Sequence, residues 1–526
     1  MTGFWLSVRF ILRRNWLRLT VWALVLAVMI PVVYNSQQQA FPTQAARDSY
    51  AQVANTPAVA AMTGLPYAAG SLGGILVIKI WMTLAVALAF ASIFLVTRNG
   101  RADEEAGRTE LLRGSALGRH AYSLANYVVA ALLSIIVGLL ISLLCLSVKL
   151  PTAGSWVMGA SIAGTGLAFV GIAALCGQLS STSRGANSFG VAVLAVFYFI
   201  RAGADLQADG SHVTALSWFS PIGWAQNMRS FEQDTWWPFL ALVALAVAGC
   251  AMALRIETRR DLGMGLLPER RGPARASSML MEPVGLVLRL QRGSLFGWLM
   301  GAVVAGLFFG GVAKAMANIL DPSNAFAKAF VGDSQNVLDG VLGIFVLFNG
   351  MLAGAFAVQS LAAARAEEAG GRLESQLAGA LSRFRWLGAH ILIAAAGSAV
   401  MLLLGGYLTG ASSAGAATGS QLAWASFAYW PAVLFMMGVM LFLHGFLPRL
   451  STSLTWAVYG ISVMIAMFGG LFSLSEAAIK ATPFGAVPRM PADNFTVLPL
   501  LVLTLLAAVL GALGIWRFRM RDITPE

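Results

Sequence analysis

Two knots of charge interrupt a chain that is otherwise 58% hydrophobic and only 11% charged. The first, RADEEAGRTELLRG (Arg101 to Gly114), carries Glu104, Glu105, Arg108 and Glu110. The second, RAEEAGGRLESQLAG (Arg365 to Gly379), carries Glu368, Arg372 and Glu374. Carboxylates and guanidinium groups at this density suit catalysis, metal binding or recognition of a charged partner. Catalysis finds no support: there is no Gly-x-Ser-x-Gly elbow, no His-Glu-x-x-His and no paired carboxylates within an apolar run. Metal binding fares no better, since Cys145, Cys176 and Cys250 lie inside apolar runs without a CxxC, and no two histidines have ligand spacing. Recognition remains. Aligned without a gap, Arg101 falls on Arg365, Asp103 on Glu367, Glu104 on Glu368, Gly107 on Gly371, Arg108 on Arg372, Glu110 on Glu374 and Arg119 on Arg383. The spacing is nearly half the chain, which reads as a duplication. Glu104 and Arg108, like Glu368 and Arg372, stand four apart, a favourable helix pair but one worth only about 0.3–0.5 kcal/mol. So ordered a pattern points to a short charged helix presented to a soluble partner.

The elements that carry these knots are membrane spans. Runs such as SLANYVVAALLSIIVGLLISLLCLSV (Ser123–Val148) are long enough to cross a bilayer core, which needs roughly 20 apolar residues of helix. Hydropathy predicts spans near 17–34, 74–97, 121–148, 156–178, 188–204 and 236–254, then near 296–320, 340–363, 389–410, 421–446, 455–473 and 497–516. The expected fold is an all-α polytopic membrane protein of about twelve transmembrane helices. They form two parallel six-helix repeats, because an even number of spans per repeat returns the chain to the same side. The repeats are expected over 1–254 and 283–526, joined by a cytoplasmic linker over 255–282, with the charged helices near 98–120 and 364–388. SPIGW (Ser220–Trp224) and TPFGA (Thr482–Ala486) recur at matching places, as do LSSTS (Leu179–Ser183) and LSTS (Leu450–Ser453). Each repeat opens with an amphipathic stretch, FWLSVRFILRRNWLR (Phe4–Arg18) and EPVGLVLRLQRGSLFGW (Glu282–Trp298), expected to lie along the interface. With the N-terminus inside, cytoplasmic segments hold 26 of the 35 Lys and Arg residues, all of them arginines. Both termini are then cytoplasmic. Topology and anionic headgroups account for the net charge of +12, so nucleic acid is not an expected partner.

An amphipathic opening, six spans and an EExGRxELL-like helix between spans two and three resemble the permease subunits of type-2 ABC exporters. The duplicated form is similar to the actinobacterial polyketide-antibiotic (tetronasin-type) and multidrug exporter group. The likeness covers essentially the whole chain and is most specific at ADEEAGRTELL (Ala102–Leu112); the second copy has Ala369 for the second glutamate and a doubled Gly370–Gly371. It implies that Glu104, Glu105, Arg108, Glu110, Glu368, Arg372 and Glu374 form coupling helices that dock a separate ATP-binding subunit, in two copies. No cofactor is expected on this chain: none of its lysines follows a glycine, so it has no phosphate-cradling Gly-Lys-Ser/Thr loop, and ATP and Mg would belong to the partner. The chain would be a transport subunit and not an enzyme, exporting hydrophobic or amphipathic drugs or antibiotics across the bacterial inner membrane by alternating access.

The resemblance lines the path with spans two, five, eight and eleven, where Phe90, Phe94, Phe197, Arg201, Phe345, Phe348, Asn349, Phe356, Met464 and Phe468 offer an aromatic, Met-containing surface. Charges within spans are costly and usually functional. Arg201 and Asp205, four apart at the outer end of span five, are expected to pair and shape an outer gate. The alternative is a proton-coupled secondary drug transporter of the major facilitator kind. Its loop motif fits poorly, since Asp103 comes three residues after Gly100 and lacks the following Arg.

Overall fold

The computed structural model describes residues 2–55, 57–114, 117–207, 214–267, 275–319, 336–379, 381–413, 415–468 and 474–523. Two compact units divide the chain, Met1–Arg271 and Gly272–Glu526. The first contains α1 (Phe4–Ala40), α2 (Leu72–Glu105), α3 (Arg108–Arg113), α4 (Ala121–Ser147), α5 (Thr152–Leu179), α6 (Ser183–Leu206) and α7 (Trp237–Glu257). The second contains α8 (Pro283–Ile319), α9 (Val337–Ala369), α10 (Arg372–Leu377), α11 (Arg383–Ser412), α12 (Gly419–Phe446), α13 (Ser451–Phe468) and α14 (Val497–Met520). Shorter helical turns, among them Gln44–Ala54 and Pro57–Thr63, fill the connections.

Among the described residues there is no strand, and 11 helices are long and apolar enough to cross a membrane. This is an all-α polytopic membrane protein. Helices prevail because lipid offers no hydrogen bonds, so each span must satisfy its own backbone. The one expected span outside that group is 455–473: α13 is a shorter apolar helix, and residues 469–473 lie outside the described residues.

The amphipathic opening of each unit runs without a break into the first span. α1 and α8 each have 37 residues. At 1.5 Å per residue that is about 55 Å of helix, well beyond a bilayer core of about 30 Å. Gly3 stops α1 at its start, in the left-handed conformation (φ 77°), while Pro31 lies within it.

α5 is the most buried helix of its unit, and glycine makes this possible. A Cβ on Gly159 would collide with Ser142 Oγ and the Gly138 carbonyl of α4, and one on Gly249 would sit 2.8 Å from the Gly171 carbonyl carbon. In lipid, where helices gain little from excluding water, such close backbone approach supplies the packing energy. α9 plays the same part in the second unit: a Cβ on Gly350 would meet the Tyr429 ring at 2.7 Å, and one on Gly354 the Phe484 ring at 2.7 Å.

Gly159→Ala should therefore destabilise the detergent-solubilised protein by about 1–3 kcal/mol, because the helices must part. Gly177→Ala on the same helix meets nothing within 4 Å and should leave the thermal midpoint unchanged or slightly raised. Scanning fluorimetry of the two variants checks the contrast.

Candidate functional site

Each charged knot folds as an elbow. In the first, Arg101–Glu105 ends α2 after a break at Gly100, and Gly107, left-handed with φ 70°, turns the chain into α3. In the second, α9 runs through the acids to Ala369, and Gly371, at φ 69°, turns the chain into α10. The single charged helix expected from sequence is thus two helical pieces around a glycine. Any other residue at that turn would carry the steric penalty of the left-handed region.

The expected pairs four residues apart do not form. Asp103, fully buried, accepts from Arg108 Nε at 2.8 Å, ion-pairs with Arg14 Nη2 at 2.8 Å and accepts from the Tyr122 hydroxyl at 2.6 Å. Glu104 is gripped by Arg101 at 2.6 Å and by Arg260 at 2.7 Å. Arg101 also donates to the Gly177 and Met264 carbonyls, and Arg260 to Gln178 Oε1 at 2.6 Å. The left-handed glycine swings Arg108 back over the preceding turn, so it meets Asp103, five residues earlier, and Glu104 is left for arginines from the body of the unit.

The second elbow repeats the main ion pairs of this wiring. Arg372 Nε donates to Glu367 at 3.0 Å, as Arg108 does to Asp103. Glu368, fully buried, faces Arg365 at 3.8 Å and is held from two sides by Arg521, at 2.6 Å and 2.7 Å. His444 Nε2 stands 3.3 Å from the same carboxylate. Arg521 corresponds to Arg260: each follows the last span of its unit and closes on the elbow. Arg119 donates to the Thr258 carbonyl at 2.9 Å, and its counterpart Arg383 to the Arg521 carbonyl at 2.6 Å.

This geometry divides the residues expected to dock a partner. Glu104 and Glu368 point inward and tie the elbow to its unit. Glu105, Arg108, Glu110, Arg372 and Glu374 are exposed, and Leu111, at 80% exposure, crowns the first elbow. Glu105 also accepts from the Ser183 backbone N–H at 2.9 Å, linking the elbow to the start of α6. Sequence reasoning missed Asp103, Arg14, Tyr122, Arg260, Arg521 and His444. The acid at the Asp103 and Glu367 position recurs in both copies, the one available clue; the arginines come from too far along the chain to leave one.

A sequence family described as "Multidrug efflux system permease Rv1217c, C-terminal domain" matches residues 280–519, nearly all of the second unit. Over 525 residues the chain is 34% identical to the multidrug efflux system permease protein Rv1217c of Mycobacterium tuberculosis (strain ATCC 25618 / H37Rv), covering 98% of this chain and 94% of that one. The chain belongs to the multidrug efflux permease family. It is a transport subunit, and its elbows are features of a permease.

The permease keeps the aromatic positions of its spans in differing environments. Phe90 and Phe94 stack at 5.8 Å on α2, with Phe94 uncovered. Phe197 on α6 is half-buried, and Met464 on α13 is uncovered. Phe345 and Phe348 stack on Phe309, at 4.6 Å and 5.4 Å. Asn349 and Phe356 are buried, Asn349 3.4 Å from the Thr409 hydroxyl and Phe356 beside Trp298. The side chain of Phe468 lies outside the described residues. Arg201 and Asp205 do pair, at 3.0 Å and fully buried, with Gln226 donating to Asp205 and Arg201 to the Ala61 carbonyl at 2.8 Å. That pair fastens the Pro57–Thr63 helix to the end of α6.

Glu368→Gln should destabilise the permease by about 3–5 kcal/mol, because Arg521 then faces no carboxylate in a buried setting. Glu110→Gln, on the exposed face, should stay within about 0.5 kcal/mol of wild type. Thermal midpoints in detergent, measured on both variants, test the division between inward and outward acids.

Proposed function

We propose that this permease is the membrane subunit of an ATP-driven exporter of hydrophobic or amphipathic drugs and antibiotics. In this reading it belongs with the fused, duplicated type-2 ABC permeases of the tetronasin-type group. The charged ends of both units face the cytoplasm, and a separate ATP-binding subunit carries ATP and Mg and docks in two copies, one on each elbow. The observation that carries the reading is the pair of elbows, wired by matching ion pairs and each offering an exposed charged face. An internal clamp on one side and a free charged face on the other suit a lever that passes a push from a soluble motor into the spans. Glu105 capping α6 gives the first elbow a direct line into a span expected to border the path with α2, α9 and α13. The Arg201–Asp205 pair, at the other end of α6, serves as the outer gate. A proton-coupled secondary transporter is the second reading, and membership of the multidrug efflux permease family does not favour it.

The test is affinity purification of the tagged chain from its bacterial inner membrane. An ATP-binding protein should stay bound, two per permease. It should be lost on charge reversal at Glu110 and Glu374, whereas Gly177→Ala retains it. A chain that purifies alone, and moves cargo into vesicles under a proton gradient without ATP, would overturn the reading.

A further inference from the structure

At the end of α9 away from its elbow, the second unit has an open cavity of about 790 Å³. Along α9, Asp339 and the start of the elbow at Arg365 are separated by about 40 Å of helix. The volume lies within the range of small-molecule sites, roughly 300–1,000 Å³. Its wall is aromatic on one side: Trp424 and Phe427 of α12 meet edge to face at 5.8 Å, Phe427 stacks on Trp430 at 5.4 Å, and Phe495 lines the opposite lip. Two carboxylates, Asp339 in the first turn of α9 and Asp493 before α14, line the same space. Asp493 accepts one backbone hydrogen bond, from Arg489 at 2.9 Å, and neither acid forms an ion pair among the described residues. No Lys, Arg or His lines the cavity among those residues, and the guanidinium of Arg489 is turned to the Ala466 carbonyl at 2.8 Å.

We propose that this cavity binds lipophilic organic cations. Aromatic faces attract a cation through the ring quadrupole and also shelter its apolar groups. Among the described residues neither acid is ion-paired, and Lys480, the lysine that feels the charge of Asp493, is paired with Glu476, so a neutral or anionic guest leaves the two acids unanswered. Asp339 is half-buried and Asp493 exposed, so a cation seated against the rings can reach both carboxylates. The site would hold cargo far from the elbow, on the side where an exporter releases it, and as a substrate site it rests on the exporter reading.

The experiment is equilibrium dialysis of the full chain in detergent, without nucleotide or partner, against radiolabelled tetraphenylphosphonium. Tetraphenylborate, of the same shape and opposite charge, is run alongside, with empty micelles as blank. Saturable binding of the cation, one per chain, and none of the borate is the expected result. The double variant D339N/D493N, which keeps an acceptor oxygen for the Arg489 N–H, should bind the cation about tenfold more weakly. Equal binding of both ions to the wild-type chain, or unchanged cation affinity in a folded double variant, would overturn the proposal. The cation–borate contrast decides the matter even where the double variant does not fold. Because no motor is present, loss of cation binding with the ATP-binding subunit still co-purifying sinks the site alone; retained binding in a chain that has no such partner sinks the exporter reading alone.

Discussion

Each unit depends on one inward-facing carboxylate that lipid could not tolerate, and that arginines from the body of the unit answer. Glu368 has no exposed surface and is answered by Arg521 from beyond the last span, with Arg365 and His444 beside it. Glu104 is answered by Arg101 and Arg260. A charge so placed is destabilising unless every side of it is met, so the clamp forces the start of the unit's second loop and the end of its last span to stay together. The elbow can then present charge outward without splaying from the bundle. Gly107 and Gly371 make the geometry possible by taking the left-handed turn that throws the following arginine back onto the preceding acid.

The two elbows are alike in wiring and unlike in surroundings. Asp103 is fully buried and holds the N-terminal helix through Arg14, which also reaches Asn99 at 2.8 Å. Its counterpart Glu367 keeps 18% of its side chain exposed against Arg372. The first unit thus joins its long opening helix to the elbow by charge. In the second, Gln291 of α8 is instead joined to the spans by neutral groups, accepting from the Ser360 hydroxyl at 2.5 Å and lying 3.3 Å from His390. The first elbow is tied to α1 by an ion pair, whereas α8 is tied to α9 and α11 by hydrogen bonds.

At the far ends the units differ again. The first is closed by a buried ion pair, Arg201 with Asp205, and by Lys79 lying under the rings of Phe41 and Tyr50 at 4.8 Å and 5.4 Å. The second opens instead into an aromatic cavity with two unpaired acids among its described walls. The two units are thus alike at their elbows and unlike at their other ends.

The sequence by itself determined the spans, because crossing lipid demands a long apolar helix and leaves that demand written in consecutive residues. It also determined the place of the charged knots and their recurrence, since charge within so apolar a chain is conspicuous. Arg201 and Asp205, four apart on one helix, were legible for the same reason: helical spacing brings them together whatever surrounds them. Only the tertiary structure decided which acids face in and which face out. Glu104 and Glu105 are neighbours of one type, yet the first is clamped by Arg260, 156 residues away, and the second caps Ser183. The cavity of the second unit was equally hidden, because Asp339, Trp424 and Asp493 come from three separate segments. Local periodicity fixes what a helix is; which of its side chains meet water is set by partners that the chain brings from far along its length.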